Sequence, residues 1–490
     1  RVGHTLVLGT TRVGKTRLAE ILITQDIRRG DVVIVFDPKG DAGLLRRVYA
    51  EAKRAGRAKD FYMFHLGFPQ VSARYNAIGN FSRITEVATR IANQFPSEGN
   101  SAAFKEFAWR FVNIIARALV ALNRRPDYQQ VRRYINDIEP LFTEYAEAHL
   151  DTHGAEDWKE QVEVLASKIS ERNLPAALRG RSKEAIALMR HLQAQDLYDP
   201  VLDGLVSAFK YDKTYFDKIV SSVGPLMEKL TTGNIAELIS PDYLDNNDTR
   251  PIFEWMEVIR RKGIVYVGLD ALTDTTVASA VGNSMFADLV SVAGHIYKHG
   301  VDGESIDTPP TISMHADEFN ELIGDEFVPL LNKAGGAGFQ VTAYTQTWSD
   351  VEARIGNRAK AGQVAGNFNT MIMLRVKELA TAEMLTDQLP KVEVFTLMSV
   401  SGVNDSSDPG SGIDFSSRNE DRISVSEVPL LTPAELITLP KGQAFALLEG
   451  GQLWKIRMPL PATDSDMPET LTEITNEMER TYITNDHWYR

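Results

Sequence analysis

The chain has 490 residues, of which 43% are apolar and 24% charged, values typical of a folded protein with a substantial core. Such a length exceeds one ordinary core, so two or three domains are expected. The formal net charge of −13 argues against nonspecific nucleic-acid binding by the whole surface, although a local basic site stays compatible with it.

Composition also limits the chemistry and the location of the chain. There is no cysteine, which excludes disulfides and cysteine-based metal sites and agrees with a reducing cytosol. There is no run of about 18 apolar residues and no visible signal peptide, so we expect no membrane-spanning segment in this sequence. The sequence starts at Arg1, one strand before its first motif, which suggests a fragment of a longer protein.

The first motif is a phosphate-binding loop at residues 9–16, Gly-Thr-Thr-Arg-Val-Gly-Lys-Thr, which fits the pattern G-x-x-x-x-G-K-[ST]. The apolar run at 5–8 predicts a strand before the loop, and the spacing of apolar residues over 15–28 predicts a helix after it. In this context the loop N–H groups and the helix N-terminus face the phosphates of a nucleotide. The predicted binding residues are Gly9, Thr10, Thr11, Arg12, Val13, Gly14, Lys15, Thr16 and Arg17.

Three of these side chains have individual expectations, with ATP and Mg²⁺ as the ligands. Lys15 would reach the β- and γ-phosphates, and Thr16 would hold Mg²⁺ through its hydroxyl. Arg12 is either a solvated side chain or an additional phosphate contact.

Further apolar or β-branched runs along the chain predict strands. They alternate with helical stretches, a pattern typical of a mostly parallel sheet that is covered by helices on both faces. The expected fold class is therefore α/β, with the architecture of a P-loop protein. The predicted strands are 32–36, 61–66, 263–269, 311–315, 339–345 and 371–376.

Between about 82 and 240 the strand runs stop, and Ala, Leu, Glu, Arg and Lys dominate at helical spacing. We predict an all-helical domain, 82–240, inserted into an α/β domain that comprises 1–81 and 241–460.

The C-terminal part contains three further predicted segments. Residues 401–421, rich in Gly, Ser and Asp, predict a mobile polar loop. Residues 442–458 predict a hairpin around Glu449-Gly450-Gly451. Residues 461–490 form an acid-rich tail, expected to be extended apart from one helix near 468–481.

Hydrolysis of a bound nucleotide also needs a carboxylate beside Mg²⁺ and a group that positions water. The predicted strand at 311–315 leads into two acidic residues. Asp317 would coordinate Mg²⁺ directly or through water, and Glu318 would act as general base. Taken alone this pair is an ordinary acidic strand end, but together with the phosphate-binding loop it indicates a hydrolytic site.

Two other strand ends add candidates. Gln346 follows the strand at 339–345 and could sense the γ-phosphate or orient water, or it is simply a polar strand end. Asp37 and Lys39 follow the strand at 32–36, where they are either near the ligand edge of the sheet or solvated charges of a turn.

These motifs together resemble the cytosolic ATPase part of conjugative type IV coupling proteins, the TraD/TraG group, and most closely TraD of integrative conjugative elements. The resemblance spans residues 4 to about 376. DPKGD at 37–41 and YNAIG at 75–79 are more specific than the phosphate loop, which all P-loop NTPases share. The matching stretches are HTLVLGTTRVGKTRLAE, VVIVFDPKGD, FHLGFPQVSARYNAIGN, YVGLDALTDTTVASAVGNSMFADL, MHADEFN and AYTQT.

The resemblance implies a RecA-like, ring-forming ATPase of the FtsK/HerA kind, hexameric and held at the inner membrane by N-terminal helices upstream of Arg1. Relatives link the relaxase–DNA complex to the secretion channel and are thought to pump DNA. DNA, a relaxase, channel components and further copies of the chain are thus the implied partners, with the helical domain receiving relaxase or DNA. Residues 9–16 would be the Walker A motif, Asp317 and Glu318 the Walker B motif, and Gln346 the sensor-like glutamine.

The sequence departs from this family at one position. Many relatives carry an arginine shortly before the Gly that precedes the sensor strand, and it is proposed to reach the nucleotide of the neighbouring subunit. Residues 332–338 are Asn-Lys-Ala-Gly-Gly-Ala-Gly here. Lys333 would replace that arginine only in part, because an ammonium lacks the planar guanidinium fork. Arg375 is another candidate, although we favour a solvated strand end.

Three functions remain open at this stage. The leading hypothesis is a DNA-translocating ATPase of a conjugation system. An adaptor that binds ATP and recruits protein substrates without moving DNA suits the acidic tail and the helical insert equally well. An FtsK/HerA-like chromosome pump is the third, and the DPKGD and YNAIG matches weigh against it. The basic clusters at 124–125, 132–133, 179–183 and 260–262 are expected to be solvated helix faces, so none is assigned to DNA.

Overall fold

The structure is a computed structural model, and its strands and helices are numbered in chain order. It describes residues 3–95, 101–170, 172, 174–195, 199–211, 213–245, 247–301, 309–404, 410, 416–460 and 462–481. The strands are β1 (His4–Leu8), β2 (Val32–Asp37), β3 (Phe61–His65), β4 (Ile264–Gly268), β5 (Ile312–Ala316), β6 (Phe339–Thr345), β7 (Phe368–Leu374), β8 (Lys391–Asn404), β9 (Ser416–Pro429), β10 (Gln443–Leu448) and β11 (Gln452–Arg457).

The helices surround one large sheet or follow each other in the long segment between β3 and β4. They are α1 (Lys15–Arg29), α2 (Ala42–Arg54), α3 (Thr85–Ala92), α4 (Ser101–Ala121), α5 (Tyr128–Asn136), α6 (Glu139–His153), α7 (Trp158–Ser167), α8 (Lys183–Gln195), α9 (Pro200–Phe209), α10 (Lys213–Leu230), α11 (Gly233–Ile239), α12 (Trp255–Arg260), α13 (Thr275–His299), α14 (Phe319–Leu322), α15 (Val328–Lys333), α16 (Trp348–Ile355), α17 (Arg358–Ala365), α18 (Leu379–Thr386), α19 (Pro433–Ile437) and α20 (Leu471–Thr481).

Nine strands form the large sheet in the order β11-β10-β7-β1-β6-β5-β2-β4-β3. The seven strands from β7 to β3 run parallel, and the β10–β11 hairpin closes one edge in antiparallel orientation. The buried strands are continuous apolar runs because helices cover both of their faces. All six strands predicted from the sequence are present, as is the hairpin at 442–458, so the predicted α/β fold class is confirmed.

Alternate side chains of β2 point to opposite faces of the sheet, and each face packs against its own apolar core. Val33 and Val35 lie in the core beneath α1, α2 and α20, whereas Ile34 and Phe36 lie in the larger core beneath α13. Phe36 contacts Phe286 of α13, with ring centroids 4.6 Å apart. The sheet is therefore fixed between two helical layers, and its strand ends are held in place.

Of the helices that the structure describes, α13 alone is long and apolar enough to cross a membrane by length and composition. Its most apolar stretch is 61% buried within the protein, and Met285, Phe286 and Leu289 belong to the core. Such burial is the behaviour of a core helix. Polar residues such as Asn283 and Asp288 interrupt its apolar run, which is why the sequence indicated no membrane span.

Within the described part of 85–239, the regular elements are α3 to α11 and short 3₁₀ turns, with no strand. Their apolar side chains belong to the same continuous core as those of α13. Tyr128 of α5 also hydrogen-bonds Ser284 of α13, with 2.9 Å between the hydroxyl oxygens. The helical character agrees with the sequence pattern, and the division into a split α/β domain and a separate insert at 82–240 stays a prediction.

A two-stranded ribbon includes both ends of the polar loop predicted at 401–421. β8 and β9 pair antiparallel over their full length, so the loop prediction was wrong for 401–404 and 416–421, while 405–409 and 411–415 lie outside the described residues. Gly and Ser content suggested a loop, but the β-branched residues on either side extend the pairing. Phe395, Leu397, Ile423 and Val425 of the ribbon are more than half exposed.

The acidic C-terminal segment folds back onto the sheet instead of extending from it. The carboxylate of Asp464 accepts hydrogen bonds from Arg47 and Arg54 of α2. The predicted helix near 468–481 is present as α20, and its Ile474 and Met478 are buried in the core beneath α1 and α2. The expectation of an extended tail was therefore wrong for 462–470, and 482–490 lie outside the described residues.

Candidate functional site

The phosphate-binding loop leaves β1 between the ends of its two neighbouring strands. The backbone N–H of Gly9 donates to the carbonyl of Thr345, the last residue of β6 (3.2 Å), and that of Thr10 donates to the carbonyl of Arg375 after β7 (3.0 Å). Gly14, with φ of 118°, directly precedes α1. That backbone conformation strongly favours glycine, so the second glycine of the motif is required by the turn.

The β10–β11 hairpin, which forms the sheet edge beyond β7, also holds the loop in place. The N–H of Gly442 donates to the carbonyl of Val13 (3.0 Å), and the N–H of Met458 donates to the carbonyl of Gly442 (2.8 Å). A Cβ on Gly14 would lie 2.8 Å from Cε of Met458. No sequence motif predicts this contact, because more than 400 residues separate Val13 from Gly442 in sequence.

The side chain of Lys15 folds back onto its own phosphate-binding loop. Its ammonium donates to the carbonyls of Gly9 (2.6 Å) and Thr10 (3.3 Å). Burial lowers the pKa of Lys15, and the negative charges of Glu318 and Asp317 oppose that shift. The first N–H groups of α1 have no partner within the helix, so ammonium and backbone donors converge on one place where phosphates can bind.

The remaining loop side chains are arranged around this cradle. Val13 is buried and anchors the loop to the core, whereas Thr11, Arg12 and Thr16 are exposed. Arg12 has a positive φ of 60° at the outer rim, and its contact with phosphate stays a prediction. Arg17 pairs with Glu20 of α1 at 2.7 Å, on the outer side of the helix.

The structure brings the predicted acidic pair to the same edge of the sheet. Asp317 directly follows β5, and its N–H donates to the carbonyl of Phe36 in the neighbouring β2 (2.9 Å). Its carboxylate accepts from the N–H of Glu318 at 3.0 Å. Burial, together with the negative charges of Asp37 and Glu318, raises the pKa of Asp317 to about 7, and Lys15 acts against that shift.

Asp37 is a turn-forming residue and not a solvated charge. Its carboxylate accepts hydrogen bonds from the backbone N–H groups of Lys39 (2.9 Å), Gly40 (3.0 Å) and Asp41 (2.6 Å), and from the hydroxyl of Tyr266 (2.6 Å). The side chain is fully buried. Four donors occupy its oxygens, so DPKGD encodes a tight turn that holds Lys39 beside β5.

Lys39 had two interpretations in the sequence: a residue near the ligand edge of the sheet or a solvated charge of a turn. Its ammonium forms an ion pair with Oε1 of Glu318, and the two residues are 279 positions apart. The sequence signals for Lys39 are its position after a parallel strand, where the ligand edge is expected, and its place in the DPKGD stretch.

Gln346 and Arg375 lie on the two sides of the phosphate-binding loop. Gln346 follows β6 and is partly buried next to Gly9. Arg375 directly follows β7 and is partly buried, so it is a strand end that is only partly exposed to solvent. Its Nε is buried and has no hydrogen-bond partner among the described residues. Lys333, by contrast, is exposed before β6, at the opposite edge of the sheet.

The oxygen donors of the site suit Mg²⁺ bound together with a nucleotide. Mg²⁺ in proteins takes one or two carboxylates, and phosphate oxygens and water complete its shell. Asp317 and the hydroxyl of Thr16 provide such a partial set. Within the described ranges there is no cluster of three His, Cys, Asp or Glu residues that would hold a metal ion by itself. The ammonium of Lys15 suits the polyphosphate of the same ligand.

Several members of the basic clusters found in the sequence have acidic partners. Arg124 pairs with Glu144, Arg125 with Glu254, and Arg261 with Glu257. Arg124 and Arg125 lie in the loop between α4 and α5 and Arg261 directly follows α12, so the expectation of a helix face was wrong for these three residues.

Comparisons with known proteins agree with this fold. Residues 311–441 match a family model described as "TraM recognition site of TraD and TraG". No curated protein sequence matches the chain. Among solved structures, the unbound monoclinic form of the bacterial conjugative coupling protein TrwBdeltaN70 matches with a TM-score of 0.54 at 14% identity, over 94% of this chain and 85% of that chain.

Two nucleotide complexes of the plasmid coupling protein TrwB are similar to the same degree. The complex with ADP and Mg²⁺ has a TM-score of 0.53 at 15% identity, over 94% of this chain and 86% of that chain. The complex with the non-hydrolysable ATP analogue ADPNP has a TM-score of 0.53 at 14% identity, over 95% and 87%. At this identity the likeness is one of fold, and it confirms the RecA-like P-loop architecture. With the family model, it also confirms the resemblance to TraD/TraG coupling proteins.

Proposed function

We propose that this chain is the ATPase part of a conjugative coupling protein, which binds ATP with Mg²⁺ at residues 9–17 and hydrolyses it. The observation that carries the proposal is the convergence of Lys15, Asp317 and Glu318 at one edge of the sheet, around the N-terminus of α1. A structure of TrwB with ADP and Mg²⁺, which shares this fold, supports the same ligands here.

In the proposed reaction the chain binds the polyphosphate before it acts on water. The loop N–H groups and the ammonium of Lys15 bind the β- and γ-phosphates, and Arg375 adds its guanidinium from the side of β7. Asp317 and Thr16 would hold Mg²⁺, which would offset the negative charge of the phosphate oxygens. These contacts stabilise the charge that develops during phosphoryl transfer.

Water activation is assigned to the acidic residue after Asp317. Glu318 accepts the proton of the attacking water as general base, and Gln346 orients that water or senses the γ-phosphate. Glu318 has a φ of 42° and lies at the start of the short helix α14. A non-glycine residue in that conformation is strained, and such strain concentrates at functional sites.

The cellular role follows from the family comparison. We propose that the protein couples a relaxase–DNA complex to a type IV secretion channel at the cytoplasmic side of the inner membrane. It would translocate DNA as a hexameric ring, anchored through a segment N-terminal to this sequence. The match of residues 311–441 to a TraM recognition site supports a partner from the DNA-processing complex.

The test is the steady-state ATPase rate with and without single- and double-stranded DNA, at low salt and over a range of protein concentrations. We expect a DNA-stimulated rate that rises cooperatively with protein concentration and is lost in Glu318→Gln. ATP binding without hydrolysis under every DNA condition would contradict the proposal and favour the adaptor function. A stimulated rate that stays linear in protein concentration would contradict the ring.

A further inference from the structure

The ion pair between Lys39 and Glu318 joins two loops of the sheet edge that carry no common motif. Lys39 belongs to the turn after β2, and Glu318 to the turn after β5, and these two strands are direct neighbours. The ammonium of Lys39 contacts Oε1 of Glu318. The Glu318 side chain is 11% exposed and that of Lys39 49%, so the carboxylate is the enclosed partner.

The turn that carries Lys39 is fixed independently of this ion pair. Asp37 accepts the backbone N–H of Lys39 and those of the next two residues, and Tyr266 fixes the same carboxylate from β4. Gly40 has a φ of 70°, and a Cβ there would lie 2.4 Å from Nε2 of His65. The main chain of Lys39 is therefore held in one conformation, and its side chain starts from a defined point.

Glu318 needs such a partner because few other groups fix its carboxylate. Its backbone N–H is taken up by Asp317, and its own φ is in the left-handed region. In the described part of the chain, Lys39 provides the ion pair to Oε1, and no group donates to Oε2. One oxygen of the general base is thus held by a cation, and the other is free for water.

We propose that Lys39 is a positioning residue for Glu318: it fixes the carboxylate in the orientation from which Oε2 accepts the proton of the attacking water. This inference rests on the proposed ATPase function and adds to it a residue outside the Walker motifs. A general base must lie within hydrogen-bond reach of the proton that it removes, so a carboxylate free to rotate would lower the rate of the chemical step.

Two other roles for Lys39 predict different behaviour. A solvated turn lysine would have no effect on hydrolysis. A lysine that binds phosphate would change the affinity for ATP, as Lys15 is expected to do, and would act independently of Glu318. A positioning residue changes kcat, leaves the Kd for ATP unchanged, and acts only through Glu318.

The experiment is a double-mutant cycle on the 490-residue chain. Lys39→Met removes the charge and keeps most of the side-chain length, Lys39→Arg keeps the charge, and Glu318→Gln removes the base. The kcat for ATP hydrolysis with DNA and the Kd of ADPNP are measured for each variant and for Lys39→Met with Glu318→Gln. Lys53→Met, an exposed lysine of α2, is the matched control. Thermal unfolding checks that the variants are folded.

We expect Lys39→Met to lower kcat about 10- to 100-fold, the loss typical of a misplaced catalytic group, with an unchanged Kd for ADPNP. Lys39→Arg should recover most of the rate, and Lys53→Met should equal the wild type. In the Glu318→Gln background, Lys39→Met should have no further effect.

Three results would overturn the inference in an active protein: a wild-type kcat in Lys39→Met, a higher kcat than the wild type, or a loss of ADPNP affinity that accounts for the loss of rate. Failure of the proposed function has a different signature, because the wild type and Glu318→Gln would then hydrolyse ATP at the same background rate. That result would remove the reaction in which Lys39 is proposed to act, and with it the inference.

Discussion

The hydroxyl of Tyr266, in the middle of β4, donates a 2.6 Å hydrogen bond to the buried carboxylate of Asp37, which ends β2. It thereby braces the turn that carries Lys39, so a residue without any ligand contact supports the candidate site. Tyr266→Phe should lower the free energy of unfolding by about 1–3 kcal/mol, because it leaves a buried acceptor without one of its donors. Chemical denaturation measures this change.

The control for this variant is Tyr297→Phe, a tyrosine of α13 that is 63% exposed. Its loss of a hydroxyl should change stability by less than about 0.5 kcal/mol. Equal effects of the two substitutions would mean that the Tyr266 hydroxyl does not brace the turn.

Two glycines, Gly40 and Gly56, have the same φ of 70°. Substituting each of them by alanine therefore separates the cost of backbone strain from the cost of a steric clash. A Cβ on Gly40 would lie 2.4 Å from Nε2 of His65, whereas Gly56 has no atom within 4 Å of such a Cβ. Gly56→Ala should cost about 1 kcal/mol through the backbone alone, and Gly40→Ala at least about 1 kcal/mol more. Denaturation curves of the two variants give the difference, and equal costs would show that the turn yields to the added methyl group.

The raised pKa of Asp317 predicts a specific pH dependence of stability. Its folded pKa of about 7 lies above the unfolded value, so the folded protein binds the proton more tightly. The stabilisation from this group is therefore present below the unfolded pKa, near pH 4, and is lost as the pH rises to 7. Without nucleotide and with a chelator, Asp317→Asn should gain stability relative to the wild type over this range, by on the order of 1–4 kcal/mol.

The measurement is urea denaturation of both proteins at several pH values between 4 and 7. A difference between them that is independent of pH would contradict a raised pKa. Addition of ATP and Mg²⁺ should stabilise the wild type more as the pH approaches 7, because a metal ligand must be deprotonated.

Arg375 and Lys333 were the candidates for the trans-acting arginine of the family, but Arg375 follows β7 beside the phosphate-binding loop of its own chain, so we assign it to the nucleotide of that chain, whereas Lys333 precedes β6 at the N-terminal ends of the parallel strands. Arg375 lies beside the loop with a buried, unpaired Nε, and Lys333 is exposed before β6. Arg375→Leu should weaken ATP binding by about tenfold, as expected for the loss of one charge-assisted contact. Lys333→Met should leave the affinity of the monomer unchanged. Calorimetric titration at low protein concentration tests both, and the reverse result would reject the assignment of Arg375.

The C-terminal helix α20 should be an integral part of the fold. Ile474 is fully buried against the core beneath α1 and α2, whereas Asn476 on the same helix is exposed. Ile474→Ala should lower the free energy of unfolding by about 2–4 kcal/mol, and Asn476→Ala should have little effect. If both variants unfold like the wild type, α20 does not dock in solution.

The sequence by itself determined the parallel strands of the large sheet and the edge of that sheet at which the candidate site lies. Strand β1, the loop at 9–16 and α1 follow from one motif and its periodicity, and Asp317 and Gln346 follow strands of the same parallel sheet. Because parallel strands end at a common edge, these residues had to approach the loop once the sheet was predicted. The helices of 82–240 were predicted in the same way, from the local spacing of apolar residues.

Only the tertiary structure decided which residues become partners. Lys39 pairs with Glu318 because β2 lies beside β5, and Arg375 lies beside the loop because β7 lies beside β1. The buried carboxylate of Asp37 accepts from Tyr266 because β4 lies beside β2. Local periodicity specifies a strand but not its neighbour, since strand order depends on the packing of both helical layers over the entire sheet. For the same reason the pairing of β8 with β9 and the docking of α20 could not be predicted from composition.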